Sequence, residues 1–485
     1  MTEKDLKPAL LWDNFKQICK IPHPSEHEKE ICDWLLSWAK ENGIDAKQDK
    51  TGNIVLTKPA TSGMENRKGV VLQGHIDMVP QKNADKVHDF TKDPIEMVIG
   101  DDGWVRANGT TLGADNGIGC SAAMAILQSK DLEHGPIEVL ITVTEETGMT
   151  GAFGLEPNYL NGEILINLDS EDEGELYVGC AGGMDANFSM EYSMTGTTSH
   201  IQGLEIAVTG LKGGHSGMDI NSGRANANKL LMRLLKKANQ KIDFRVASIN
   251  GGSLRNAIPR EAFATVGMLS ETVEEFKQFV AEFTPIITKE FAVTEPDLSI
   301  SVKSIDAPKE FISNADRLKI IDLVLAIPNG VMRMSDSMPG LVETSTNLAI
   351  VKTENGKLLI ANLLRSSVDS AKEALGDKMA ALATLAEVDI ELTGAYPGWK
   401  PNMESPIMKT MIQTYESLYG KTPEIKAIHA GLECGLLGGV YPHWDMISFG
   451  PTIRNPHSPD ERVNIESVEK FWNFLIAVLK NIPVK

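Results

Sequence analysis

His75 stands at the end of the apolar run GVVLQG and is followed two residues later by Asp77, in HIDMVPQ (75–81). That spacing pairs an imidazole, one nitrogen of which can bind a metal, with a carboxylate able to accept the other ring N–H and fix the tautomer. Three more apolar runs lead into residues of the same kind. IEVLITVT is followed by the adjacent acids Glu145 and Glu146, ILINL by Asp169, and DMISF by FGPTIRNPHSPDE, which contains His457. Asp115 lies in GADNG, a turn that opens a helical pattern. Taken singly, each of these residues is ordinary as a cap or a solvated loop residue. Their shared position after strand-like runs is what points to chemistry. Imidazole and carboxylate together suit a borderline divalent ion such as zinc, and two such ions need roughly six ligand positions, one carboxylate often bridging them about 3.5–4 Å apart. Adjacent side chains of an extended backbone point to opposite sides, so one of Glu145 and Glu146 can ligate while the other takes a proton from water.

Residues so far apart in the chain can meet only if the runs before them belong to one sheet, because an open α/β sheet places its ligands beyond the carboxyl ends of its strands. NIVLT (53–57), GVVLQ (69–73), IEVLITVT (137–144), ILINL (164–168) and DMISF (445–449) have strand length, and helix-like segments such as IGCSAAMAILQSK separate several of them. This is the pattern of an α/β sheet. Ser25 followed by Glu28 reads as a capping box for a helix that places Ile31, Leu35 and Trp38 on one face and stops at Gly43. Between about 186 and 395 the texture changes. HIQGLEIAVTGLKGG, AFATVGMLS and LAIVKTENGKLLIANLL alternate apolar and polar residues, with helical stretches around 226–239 and 371–384. The sequence therefore predicts an α/β catalytic domain over 1–185 and 396–485, with a mixed sheet flanked by helices. An inserted α+β domain over 186–395 has two roughly similar halves, as an internal duplication would leave them.

A length of 485 residues suits two domains, and 42% hydrophobic with 23% charged residues is the composition of a soluble globular chain. There is no run of eighteen apolar residues, and MTEKDLKPALLWDNF lacks the features of a secretory signal, so no membrane span and a cytoplasmic location are expected. Five scattered cysteines with no C-x-x-C pair read as reduced packing residues. A net charge of −19 without a long basic block argues against nucleic acid or an anionic membrane as partner. EDE (171–173) reads as a solvated acidic turn. GIGCSA (117–122) matches a dinucleotide fingerprint but follows the polar GTTLGADN rather than a buried strand, and YESLYGKT has Tyr415 where a phosphate loop needs glycine.

HIDMVPQ, GTTLGADNGIG, TVTEETGMTGAFGL, NLDSEDEGELYVGCAGG, GGHSG, GGSLRNAIPREAFAT, HAGLECG and GPTIRNPHSPDE, spread along essentially the whole chain, resemble the bacterial aminoacyl-histidine dipeptidases. These belong to the di-zinc metallopeptidases that also contain carnosinases, tripeptidases and aminoacylases. The resemblance implies that His75 and Asp169 hold one Zn2+, Glu146 and His457 a second, and that Asp115 bridges them, with Co2+ or Mn2+ as substitutes. It implies Glu145 as general base and Asp77 as the partner of His75. The inserted domain resembles the family's lid, in which His215 of GGHSG would stabilise the oxyanion while Asn256 of LRNAIP and Arg365 of NLLRSS bind the dipeptide's C-terminal carboxylate. Without the resemblance, GGHSG is a glycine-rich turn with an exposed histidine and Arg365 a surface ion-pair residue. Glu433 of GLECG borders the site in relatives and carries no assigned role. The implied activity is hydrolysis of Xaa-His and related dipeptides; an N-acyl amino acid deacylase or a carboxypeptidase would show the same motifs. One chain suffices if the lid supplies both His215 and Arg365, and a homodimer is equally compatible. A non-catalytic metal-binding scaffold would have no need of the free base in Glu145-Glu146.

Overall fold

The computed structural model describes residues 6–197 and 200–485; the first five residues, part of the N-terminal stretch read above, lie outside the described residues. The chain forms two compact units, one of residues 1–179, 399–427 and 432–485, the other of 180–398 and 428–431.

In the first unit an eight-stranded sheet runs, edge to edge, through Asp45–Gln48, Ile54–Lys58, Ile137–Thr142, Val70–His75, Ile164–Asn167, Asp445–Ser448, Glu175–Cys180 and Glu424–Ile428. Its centre is parallel: Val70–His75 pairs in parallel with Ile137–Thr142 on one side and Ile164–Asn167 on the other, which pairs in parallel with Asp445–Ser448. Every residue of Val70–His75 is buried. Parallel strands covered on both faces carry unbroken apolar runs, which is why these four are visible in the sequence. Their carboxyl ends lie on one edge, so the loops after them share it.

The helix Ala114–Gln128 packs on Val70–His75 and on the helix Ala9–Cys19, and nearly all of it is buried. The GIGCSA glycines serve this packing. A Cβ on Gly117 would lie 2.9 Å from the Phe15 ring, and one on Gly119 2.6 Å from the Leu168 carbonyl oxygen.

The helix Lys29–Glu41 buries Ile31, Cys32, Leu35 and Trp38 and ends before Gly43, whose φ is +68°. Its expected capping box is not made. Residue 28 occupies the N-cap position with no side-chain cap bond. Ser25 Oγ instead donates to Asp77 Oδ2 (2.7 Å), and Glu28 Oε1 accepts from Thr144 Oγ1 (2.7 Å) and from the Glu26 N–H (3.0 Å). Hydroxyl and carboxylate side chains that can cap a helix can equally serve a buried partner from elsewhere, and here the buried partners win. The acidic turn 171–173 also departs from expectation. It is half-buried and tied down, with Asp172 paired to Arg454 (2.6 Å), Glu173 accepting from the Tyr415 hydroxyl (2.5 Å) and the Glu171 carbonyl accepting from the Ile453 N–H (3.0 Å).

The second unit is built on a nine-stranded sheet in which every pairing is antiparallel. Ser299–Ile305, Ile201–Thr209, Ala262–Leu269, Arg245–Gly251, Val342–Glu354, Lys357–Ser366, Gly182–Glu191 and Asp389–Tyr396 follow one another across it, and Gly330–Met334 pairs with Val342–Glu354. The helices Ala227–Ala238, Val273–Glu290, Asn314–Ala326 and Asp369–Ala386 share a core with it that includes Leu204, Ile206, Leu231, Phe276, Ile320 and Met379. One-sided burial produces the alternation seen in the sequence. The unit begins at Cys180 rather than 186 and ends at Gly398 rather than 395, because the change of texture near 186 falls inside the strand Gly182–Glu191. All five cysteines are buried and none is in a disulfide, and among the described residues no helix is long and apolar enough to cross a membrane.

Gly74, next to His75, marks a close approach: a Cβ there would lie 2.1 Å from Asn116 Oδ1. Overpacking of this kind predicts that Gly74→Ala loses about 1–3 kcal/mol of unfolding free energy in urea titrations of metal-stripped protein. Gly196→Ala, with nothing within 4 Å, should change it by less than about 0.5 kcal/mol.

Candidate metal and catalytic site

All five residues read as metal ligands lie in the first unit, and the structure brings them together. Asp115 directs one carboxylate oxygen to each histidine: Oδ1 is 3.2 Å from His75 Nε2, and Oδ2 is 3.3 Å from His457 Nε2. Each histidine has a second carboxylate of its own, Asp169 Oδ1 at 3.3 Å from His75 Nε2 and Glu146 Oε2 at 3.0 Å from His457 Nε2. Donor atoms of His75, Asp115 and Glu146 lie within 4.8 Å of one another. His75 and Asp169 follow strands of the sheet; Asp115 opens the buried helix, on a cis peptide to Asn116; His457 sits in a loop at a φ of +59°.

The atoms themselves indicate what this cluster needs. His75 Nδ1 lies 3.0 Å from the Asp77 carbonyl oxygen, which can only accept, so Nδ1 carries a proton, while Nε2 faces two carboxylate oxygens that also only accept, a place for a proton or a cation between them. Glu146 Oε1 is buried without a hydrogen-bond partner. An imidazole nitrogen facing two carboxylates and an orphaned carboxylate oxygen beside them fit divalent cations, and the imidazole and carboxylate groups suit a metal of zinc type. The same negative field acts on the imidazoles and carboxyls of the cluster. Hydrogen bonds that the His457 ring donates to the Asp115 and Glu146 carboxylates push its pKa up to about 11. Burial pulls the His75 imidazole down, but Asp169, Asp115 and Asp77 overcome it and hold it well above its usual value. Burial takes Asp169 to about 8, with Asp115 adding to the rise.

Asp77 organises the edge of the site. Its backbone carbonyl fixes His75, while its carboxylate lies 3.4 Å from Nδ1 and accepts from the Glu145 N–H at Oδ1 (2.9 Å) and from the Glu146 N–H (3.2 Å) and Ser25 hydroxyl (2.7 Å) at Oδ2. The orientation of His75 thus comes from the Asp77 carbonyl more than from the carboxylate the spacing suggested. Burial works against the Asp77 anion, yet His75, the Glu145 N–H and Ser25 bring it to about 2. Glu145 and Glu146 lie in a turn rather than on an extended strand, with the Gly148 and Met149 N–H groups on the Glu145 carbonyl. The turn, not strand alternation, presents the two acids. Burial keeps the Glu145 carboxyl well above its ordinary range, against the pull of His75.

Beneath the ligands runs a buried polar ladder with little sequence signal. Glu433 Oε2 accepts from Gln73 Nε2 (2.6 Å) and Thr142 Oγ1 (2.8 Å), and Gln73 Oε1 accepts from Asn167 Nδ2 (2.6 Å). Asn167 Oδ1 then accepts from the Asp169 N–H (3.2 Å). Gln73, Thr142 and Asn167 lie towards the ends of their strands and Glu433 opens a helix, so the ladder locks neighbouring strands near where the proposed ligands leave them. A polar residue within an apolar run, such as Gln73 in GVVLQG, was the available clue.

The second unit contains His215, expected at the oxyanion, and Asn256 and Arg365, expected at the substrate's carboxylate. The Ser216 N–H donates to the Asn256 carbonyl (2.8 Å), and Arg365 Nε donates to Ser216 Oγ (3.3 Å). His215 is half-buried rather than exposed. Its Nδ1 accepts from the Gly217 (3.3 Å) and Met218 (3.0 Å) N–H groups, which leaves the ring proton on Nε2, and burial, aided by Arg365, lowers its pKa. Arg365 is not a surface residue either. It is 5% exposed, its other near partner is the Tyr396 hydroxyl (3.5 Å from Nη1), and among the described residues no carboxylate lies within ion-pair distance. His429, which the sequence reading passed over, is buried beside it, its Nε2 2.7 Å from Ser345 Oγ.

The model of peptidase family M20/M25/M40 matches residues 71–481, a span that contains the whole metal cluster. The chain is 50% identical over 480 residues to the cytosol non-specific dipeptidase of Escherichia coli (strain K12), covering 99% of both. The crystal structure of aminoacylhistidine dipeptidase from Vibrio alginolyticus is similar with a TM-score of 0.94 at 49% identity, over 100% of this chain and 99% of that one. Aminopeptidase PepT from Bacillus cereus ATCC 10987 shares the fold at a TM-score of 0.58 and 17% identity, over 98% of this chain and 99% of that one. The chain belongs to peptidase family M20/M25/M40 and is a metallopeptidase.

Proposed function

We infer that the chain is a dipeptidase that hydrolyses Xaa-His and related dipeptides at a centre of two divalent metal ions, zinc in the first place. The observation that carries this reading is Asp115, with one oxygen on each of two histidines and each histidine backed by a second carboxylate. Support comes from full-length relatives at 49–50% identity that are named as dipeptidases, one of them a cytosol enzyme, in keeping with a cytoplasmic location.

In this reading His75 and Asp169 would hold one ion, His457 and Glu146 the other, and Asp115 would serve both. Bound there, the metals would supply Lewis acidity towards the scissile carbonyl and make a water molecule more acidic. Glu145 takes the proton of that water and returns it to the leaving amine, so the C–N bond breaks while water contributes hydroxyl to the acyl product and hydrogen to the amine. Asp77 keeps Glu145 in place through the Glu145 N–H. His215, neutral and carrying its proton on Nε2, donates to the oxyanion, an interaction typically worth about 2.7–4 kcal/mol. Arg365, a buried cation without a carboxylate of its own, takes the substrate's terminal carboxylate with Asn256. A cation that has to be neutralised by a free C-terminus favours cleavage beside the chain end over cleavage within a protein.

Metal-stripped protein should release no histidine from β-alanyl-histidine or glycyl-histidine and recover on addition of about two equivalents of zinc. Zinc-loaded protein that cleaves acetylated amino acids but neither peptide would replace this reading with a deacylase. Glu145→Gln should keep both metals and lose about 10²–10⁴-fold in kcat, read by metal analysis and steady-state kinetics; full activity would remove Glu145 from its role. Arg365→Met should raise KM for β-alanyl-histidine about 30-fold or more, as expected for a buried charge pair worth at least about 2 kcal/mol. It should also erase the preference for the dipeptide over its C-terminal amide, and an unchanged preference would place the carboxylate elsewhere.

A further inference from the structure

Glu461 is 2% exposed, and its carboxylate accepts four consecutive backbone N–H groups: Leu112 (2.7 Å) and Gly113 (3.0 Å) at Oε2, Ala114 (2.8 Å) and Asp115 (3.3 Å) at Oε1. The first N–H groups of a helix ordinarily find an acceptor in the side chain of the residue just before it. Here that residue is Gly113, at a φ of +72° and without a side chain to offer, and the acceptor comes from far along the chain. Glu461 lies four residues after His457, in a turn closed by the Glu461 N–H on the Ser458 carbonyl (2.9 Å) and the Asp460 N–H on Ser458 Oγ (3.1 Å). One short turn therefore holds Asp115 twice, His457 facing its carboxylate and Glu461 gripping its backbone.

We propose that Glu461 is a positioning residue for the metal centre: by clamping the backbone of residues 112–115 it sets the angle at which Asp115 is shared between the two ions. The proposal rests on the two-metal reading above. The carboxylate touches neither substrate nor metal, and what it supplies is two oxygens for two pairs of N–H donors. A glutamine keeps the size but turns an N–H2 group towards one of those pairs, so the donors there lose their acceptor and meet a donor instead.

The experiment compares wild type, Glu461→Gln, Glu461→Asp and Asp115→Asn. Stripped proteins are titrated with zinc, the cobalt-loaded forms are examined by visible absorption, Tm is measured with and without metal, and kcat and KM are determined on β-alanyl-histidine at saturating zinc. Glu461→Gln should bind its weaker metal about 10–100-fold less tightly, show an altered cobalt spectrum, gain less Tm from metal than wild type does, and lose kcat with KM little changed. Glu461→Asp, which keeps both oxygens, should recover part of each loss. Wild-type affinity, spectrum and kcat in Glu461→Gln would overturn the proposal. So would a loss of Tm equal with and without metal, or failure of both Glu461 variants to fold, either of which assigns Glu461 to the fold alone. Asp115→Asn tests the underlying reading separately: it should lose at least one metal, and two tightly held ions in that variant would sink the two-metal assignment whatever Glu461 does.

Discussion

One carboxylate between two imidazoles sets the terms for the first unit. Asp115 lies against His75 on one side and His457 on the other, with Asp169 and Glu146 completing the two halves. Negative groups concentrated in this way are unstable in a protein interior unless cations and directed hydrogen bonds compensate them. Much of the surrounding construction answers that demand. Asp77 takes N–H groups from Glu145 and Glu146, Glu461 takes four from the turn of Asp115, and Glu433 is fed by Gln73 and Thr142. Three buried acids that are not ligands in the proposed centre thus hold the backbone and strand ends from which the proposed ligands project.

The second unit repeats the logic with the opposite sign. Arg365 is buried on a central strand, and its near partners, Ser216 and Tyr396, are neutral hydroxyls. A guanidinium kept that way is an open position for an anion. His215 is held neutral next to it by backbone N–H groups on one ring nitrogen, so its other nitrogen is a donor that costs nothing to orient when negative charge develops.

How much of this could be seen in the sequence depended on the kind of signal. The central parallel strands were legible because burial on both faces leaves unbroken apolar runs, and the acids and histidines after them followed from where such sheets place ligands. The second unit's strands were legible from alternation, but its first boundary was misplaced because strand Gly182–Glu191 bridges the change in texture. Ser25 and Glu28 misled because a capping box is a local pattern, and nothing local announces that both side chains serve Asp77 and Thr144. Glu461 was silent for the same reason, while Gln73 stood out only as a polar residue in an apolar run and Glu433 only as a motif residue without a role: their meaning lies in backbone groups and strand ends brought to them by the fold.

The hydrogen bond from the Leu112 N–H to Glu461 spans 349 residues, and the contact between Asp115 and His457 spans 342. Contacts of that separation are the last that a growing chain can make. During synthesis, strands and helices up to the middle of the chain can form while Asp115 still has neither its clamp nor its second imidazole, so a chain that has not yet reached residue 457 can hold at most half of the proposed centre. Full loading of the proposed centre therefore waits for residues 457–461, and a ribosome that stalls before residue 457 leaves behind a chain without one of the two imidazoles rather than an unregulated hydrolase.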